Sequence, residues 1–152
     1  GLPQTFEDFL EDYNTYGLGL PLAINIKADG LQGLLKSSLN KARIENYFVF
    51  DASVPDLLGY KKLGIKFYNR VSEFEKATIE GAEGIWFDQM ESSFVKQSHL
   101  IGLRDQTVCF VSSELHQRDH GQLWALLKAN SGNQNWAICT DYPVEAKEFF
   151  ES

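Results

Sequence analysis

Six short apolar runs recur along this chain, and each is followed within a few residues by a stretch that is helical by apolar spacing or can be read so. No other feature constrains the fold as much. The runs are residues 20–30 (LPLAINIKADG), 47–53 (YFVFDAS), 65–71 (IKFYNRV), 84–88 (GIWFD), 107–115 (TVCFVSSEL) and 136–141 (WAICTD). Strict β/α alternation with short connections implies a parallel sheet with right-handed crossovers. An open doubly wound sheet and a barrel both meet that condition. No glycine-rich dinucleotide loop or Walker loop follows any run, which weakens the open nucleotide-binding sheet. Lys27, Asp51, Arg70, Asp88 and Asp141 end the runs, on the face where barrel enzymes build their sites, so a partial barrel of about six βα units is expected.

The helices have their own punctuation. Thr5, with Asp8 three residues on, opens a helix whose apolar stripe is Phe6, Phe9, Leu10 and Tyr13 and which stops at Gly17. Residues 31–43 form the next, Pro55 sits in the first turn of a third that Gly64 closes, and Ser72 with Glu75 reads as a capping box for residues 72–80. Residues 89–106 carry no clear period. Residues 116–130 show an apolar stripe at Leu123, Trp124, Leu126 and Leu127, and Pro143 opens the last helix.

A chain of 152 residues with 43% hydrophobic content has the bulk for one domain, 1–152. Its net charge of -7 argues against a non-specific grip on nucleic acid or an anionic membrane. No run reaches the roughly 18 apolar residues of a membrane span, and the opening residues lack the basic and apolar regions of a signal peptide. Cys109 and Cys139 lie in apolar runs and read as buried thiols of a reducing, cytoplasmic compartment, the alternative being a disulfide if they face each other across neighbouring strands.

The chemistry begins in the first run. Leu22, Ile24 and Ile26 alternate with Ala23, Asn25 and Lys27, so a strand separates an apolar face from a polar one. Lys27 is a candidate phosphate-binding group, with pairing to Asp51 or Asp141 as the structural alternative and a Schiff-base role as a third. Asp51, Asp88 and Asp141 could hold a metal or act as acid and base, or cap the helices that come after them. Arg70 precedes a helix start where an anion could sit, or pairs with Glu73 or Asp88. His116 and His120 stand four apart, without the glutamate of a zinc helix, and are expected on the solvated outside of a barrel; the tryptophans are expected in the core.

Asn25-Ile26-Lys27, Phe50-Asp51, GIWFD at 84–88 and above all ICTDYP at 138–143 resemble the later strands of glycerophosphodiester phosphodiesterase-like barrels, of the phosphatidylinositol phospholipase C type. The resemblance spans most of the chain and implies hydrolysis of a phosphodiester, such as a lipid head group or its deacylated form, assisted by Mg²⁺ or Ca²⁺. It also implies that the first two strands of the family barrel are missing, because the helix at 5–13 looks like the one before the family's third strand. The family's His-Arg-Gly, His-Asp and Glu-x-Asp motifs do not occur here, and Asn25 stands where the family has a metal-binding glutamate. Lys27 alone carries over cleanly, with Asn25 and Arg70 as further candidates for the phosphate. Full catalysis by this chain alone is therefore not expected. The alternatives are a non-catalytic binding or assembly module, completed by a second copy or an N-terminal fragment that covers the open strand edges, and a lysine-dependent aldolase.

Overall fold

A computed structural model describes residues 4–17, 19–76, 79–132 and 135–152. Among them it shows a mixed α/β protein with six strands in two sheets and six α-helices. The chain divides into two compact units, Gly1–Tyr68 with Ile79–Glu83, and Asn69–Thr78 with Gly84–Ser152.

The first unit opens with α1 (Phe6–Tyr16), and its capping box forms as expected. Thr5 Oγ1 accepts from Asp8 N at 3.1 Å while Asp8 Oδ2 accepts from Thr5 N at 3.0 Å. Two amides that the helix cannot satisfy are thereby paired. Gly17 ends the helix, its N–H donating to Tyr13 O. Strand β1 (Leu22–Asn25) then lies parallel to β2 (Tyr47–Phe50), with Leu22 opposite Tyr47 and Asn25 opposite Phe50. Leu22 and Ile26 are buried while Ala23, Asn25 and Lys27 are exposed, so the two faces separate as the alternation requires. Helix α2 (Gln32–Ala42) follows β1, and Arg43 closes it in the left-handed region at φ 57°. Helix α3 (Val54–Lys62) follows β2, with Ser53 as its N-cap and Pro55 in its first turn. Leu10, Leu35, Leu39, Val49, Leu57, Tyr60 and Phe67 form the core of this unit.

In the second unit, β3 (Tyr68–Val71, from Asn69 onward), β4 (Gly84–Phe87), β5 (Val108–Val111) and β6 (Trp136–Cys139) stand in that order in one sheet. The pairs β4–β5 and β5–β6 are parallel. Every residue of β4 and β5 is buried, as interior strands covered on both faces must be. Phe87 and Phe110 meet at 5.5 Å between ring centres, and Phe110 meets Trp136 edge-on at 5.4 Å, in a core shared with Leu100, Leu123 and Leu127. Helices α4 (Gln97–Gly102), α5 (Gly121–Asn130) and α6 (Pro143–Glu151) complete the unit, together with a 3₁₀ helix at Ser113–His116. The segment without a clear period thus supplies α4, and Trp86 and Trp124 are buried as expected.

Two local expectations need correction. No helix forms over the described part of residues 72–80, positions 77 and 78 lying outside the described residues. Ser72 Oγ does accept from Glu75 N, at 3.2 Å, but it also accepts from Phe74 N at 3.1 Å, and Ser72 N donates back to Glu75 O, which closes a turn. The carboxylates that would extend the helix are held elsewhere, Glu75 by Arg70 and Glu73 by the loop after β4. Second, α5 starts at Gly121 rather than at His116, so neither histidine lies on it. The disulfide alternative does not form: Cys109 stands opposite Ala137 and Cys139 opposite Val111, two residues out of register, and both thiols are free, Cys109 buried as expected and Cys139 half-buried. Burial, with Cys139 nearby, pushes the Cys109 thiol up to about 12.

Candidate functional site

In the first unit, the pairing between β1 and β2 runs one rung past Asn25, where Ile26 N donates to Phe50 O at 3.0 Å. Lys27 is next, and its Nζ lies 3.3 Å from Asp51 Oδ2. The structural alternative for Lys27, a pair with Asp51, is therefore what forms. Its side chain is 74% exposed, and a Schiff-base lysine needs the opposite, a desolvated amine. Asp51 sits at the end of β2 with φ 65°, a left-handed conformation that aspartate adopts more readily than most residues. It does not cap α3, because Ser53 does. Asn25 is exposed on the same side of β1 as Lys27.

The second unit gathers more chemistry at the carboxyl ends of its strands. Asp88 follows β4 directly, and its Oδ1 lies 2.6 Å from Nε2 of His116. The 3₁₀ helix after β5 makes this contact, because a tight turn of three residues places His116 over the strand ends where an α-helix would have carried it away. Among the described residues His116 Nδ1 has no hydrogen-bond partner. With Asp88 as carboxylate, Nε2 carries the proton and Nδ1 keeps a lone pair. A half-exposed imidazole fixed in one tautomer by a carboxylate is a competent proton-transfer group.

Glu114 ties the ends of β5 and β6 together. Its carboxylate accepts from Ser112 Oγ, from Thr140 Oγ1 and, at 3.2 Å, from Asp141 N. Burial pushes its carboxyl up, but the hydrogen bonds from Ser112, Thr140 and Asp141 outweigh that and hold it below the usual carboxylate range. Trp124 Nε1 donates to Ser112 Oγ at 2.7 Å, and the His120 ring lies tilted against Trp124, 4.1 Å between ring centres, with its Nδ1 3.8 Å from Glu114. Asp141 contributes a backbone amide to this network and is not the cap of α6, whose N-cap is Tyr142. Arg70 Nε donates to Glu75 Oε2 at 2.7 Å, a partner other than the two named from sequence. Glu73 instead accepts from the amides of Met90, Glu91 and Ser92, at 3.0, 3.1 and 2.9 Å.

His116 and Glu114 are the members that sequence reasoning missed, and the expected solvated helix face for His116 and His120 is not where they lie. One signal was present. Gly121 and the polar HQRD before it mark a helix start five residues later than the one assumed. The donor set does not suit the divalent ion that the family resemblance implies. Asn25 offers a neutral amide in place of a carboxylate, and among the described residues no three His, Cys, Asp or Glu side chains converge as metal ligands do.

No protein-family model, no curated protein and no solved structure matches this chain. The reading of its function therefore rests on the chain's own geometry. Among the described residues no helix is long and apolar enough to cross a membrane.

Proposed function

We propose that this chain is part of a (β/α) barrel of the glycerophosphodiester phosphodiesterase-like group, and that it acts on phosphoric diesters in a reducing, cytoplasmic compartment. The observation that carries the chemistry is the 2.6 Å pair of Asp88 and His116 at the carboxyl ends of a sheet of parallel strands. Parallel order, strand-end polar groups and two free thiols support the same reading.

In this mechanism His116 Nδ1 takes the proton of a water molecule as its oxygen bonds to phosphorus. The bond from phosphorus to one ester oxygen breaks, and the same proton passes to the leaving alcohol. Asp88 holds the ring and stabilises the imidazolium that forms. No step passes through a metal. Acid–base catalysis of this kind contributes about 10²–10⁴-fold, so modest turnover is expected. The test is hydrolysis of bis(p-nitrophenyl) phosphate and of a glycerophosphodiester. Turnover that disappears in His116→Ala and falls in Asp88→Asn supports the reading, and turnover indifferent to His116 rejects it.

An assembly module is the second reading, favoured by β1. Among the described residues β1 pairs with β2 alone, so its other edge has no strand against it. Such edges invite a second chain. Light scattering that returns twice the 17.2 kDa chain mass, or co-purification with a separate fragment, would support pairing. A monomer at all concentrations would reject it.

A further inference from the structure

Arg118 is the charged group of the second unit that the proton-transfer pair leaves unexplained. It follows His116 by two residues and reaches back to the loop after β4, where Nη2 donates to Gln89 O and Nη1 to Ser93 Oγ at 3.3 Å. A guanidinium has five N–H donors. These two contacts engage one hydrogen on each Nη. The Nε is buried with no partner, and so is the hydroxyl of Ser113, whose carbonyl accepts from Arg118 N at 3.1 Å.

The charge is uncompensated as well. Among the described residues no carboxylate lies within ion-pair distance of Arg118, although acidic residues outnumber basic ones 21 to 14 in this chain. A partly buried arginine normally takes a carboxylate, because an unpaired buried donor costs about 1–3 kcal/mol and an unpaired charge more. Here the neighbouring carboxylates are already engaged. Asp88 holds His116, and Glu114 holds Ser112, Thr140 and Asp141. Consecutive residues 88 and 89 are thus gripped from the same turn, one by the imidazole and the other by the guanidinium.

We infer that Arg118 is a phosphate-positioning residue, whose remaining Nη donors grip the non-bridging oxygens of a phosphodiester monoanion beside His116. The inference rests on the proposed phosphodiester function and adds an anion grip within the second unit. A planar fork suits two oxygens of one phosphate, whereas the ammonium of a lysine supplies a point charge.

The test uses the full chain and dimethyl phosphate, which cannot be turned over quickly, titrated by ³¹P NMR with acetate as the competing anion. Saturable binding that weakens at least tenfold in Arg118→Gln, and less in Arg118→Lys, is the expected result. Acetate should displace the phosphate poorly. Absence of saturable binding, or Arg118→Gln binding as well as the unaltered chain, overturns the inference, and preferred binding of acetate shows a carboxylate site in its place. Far-UV circular dichroism checks that each variant folds, and if the glutamine variant does not, the lysine variant decides, because loss of the fork alone must still weaken binding. His116→Ala separates the two proposals. Arg118-dependent binding with hydrolysis indifferent to His116 removes the proposed reaction and leaves the anion site. His116-dependent hydrolysis whose KM is unmoved by Arg118→Gln does the reverse.

Discussion

At the scale of single residues, the second unit places its polar side chains in arrangements where each loss has a definite consequence. Glu114 is nearly enclosed and accepts from three groups on two strand ends. Glu114→Ala leaves those donors unpaired and is expected to cost about 1–3 kcal/mol, read as a lowered urea midpoint with an unchanged slope. Cys109 is buried, and its thiol is pushed up to about 12 by that burial and by Cys139. Native protein at pH 8 should therefore leave Cys109 unreacted with a disulfide reagent, while denatured protein titrates two thiols. Rapid modification of Cys109 in the native state would contradict its burial. The same scale shows where sequence reading failed. His116 looks like any solvated histidine until the 3₁₀ turn brings it to Asp88, 28 positions earlier. No local pattern encodes a partner at that separation.

At the scale of elements, two capping signals of the same form had opposite fates. Thr5 with Asp8 caps a real helix, and Ser72 with Glu75 closes a turn. The difference lies in the residues downstream of each cap and in the partners that compete for its carboxylate. The residues after Thr5 carry an apolar stripe that buries Leu10, and nothing outside the helix claims Asp8. Phe74 is exposed, and both nearby glutamates are bound elsewhere. Thr5→Ala is accordingly expected to cost about 1 kcal/mol and to fray α1, measurable as faster amide exchange in its first turn. Ser72→Ala should leave helix content by circular dichroism unchanged. Strand positions were legible because alternation and flanking glycine, proline and aspartate mark them, yet the paired strands are shorter than the apolar runs. Residues 107–115 contain the four of β5, Val108–Val111, and the rest of that run forms the polar turn that carries the site.

At the scale of the whole molecule, pH dependence arises from groups in both units. Glu73 and Glu114 titrate below the ordinary 4.5 because hydrogen bonds from neighbouring groups outweigh their burial. Their contribution to stability is complete above that value and is lost as pH falls through the folded values. Cys109 and Tyr60 move the other way, both raised to about 12 by burial, from 9.0 and 10.0 respectively. What they contribute is complete below pH 9 and is lost as pH rises toward 12. Thermal unfolding should thus show a plateau from about pH 5 to 9 with a fall on each side. A Tm that climbs steadily above pH 9 would contradict the burial of these two groups.

The sequence by itself determined the positions of the strands, five of the six helices among the described residues, the cap at Thr5, the first-turn Pro55, the polar strand ends and the buried tryptophans Trp86 and Trp124. Each depends on neighbours within about one turn or two strand residues, and periodicity and side-chain chemistry report that range directly. Tertiary structure alone decided that the strands form sheets of two and four, that Lys27 meets Asp51, that Glu75 goes to Arg70, and that His116 and Arg118 close on residues 88 and 89. Those choices are competitions between partners distant in the chain for the same donor or carboxylate. They are settled by which pair burial leaves close enough to bond, and a linear pattern carries no record of that distance.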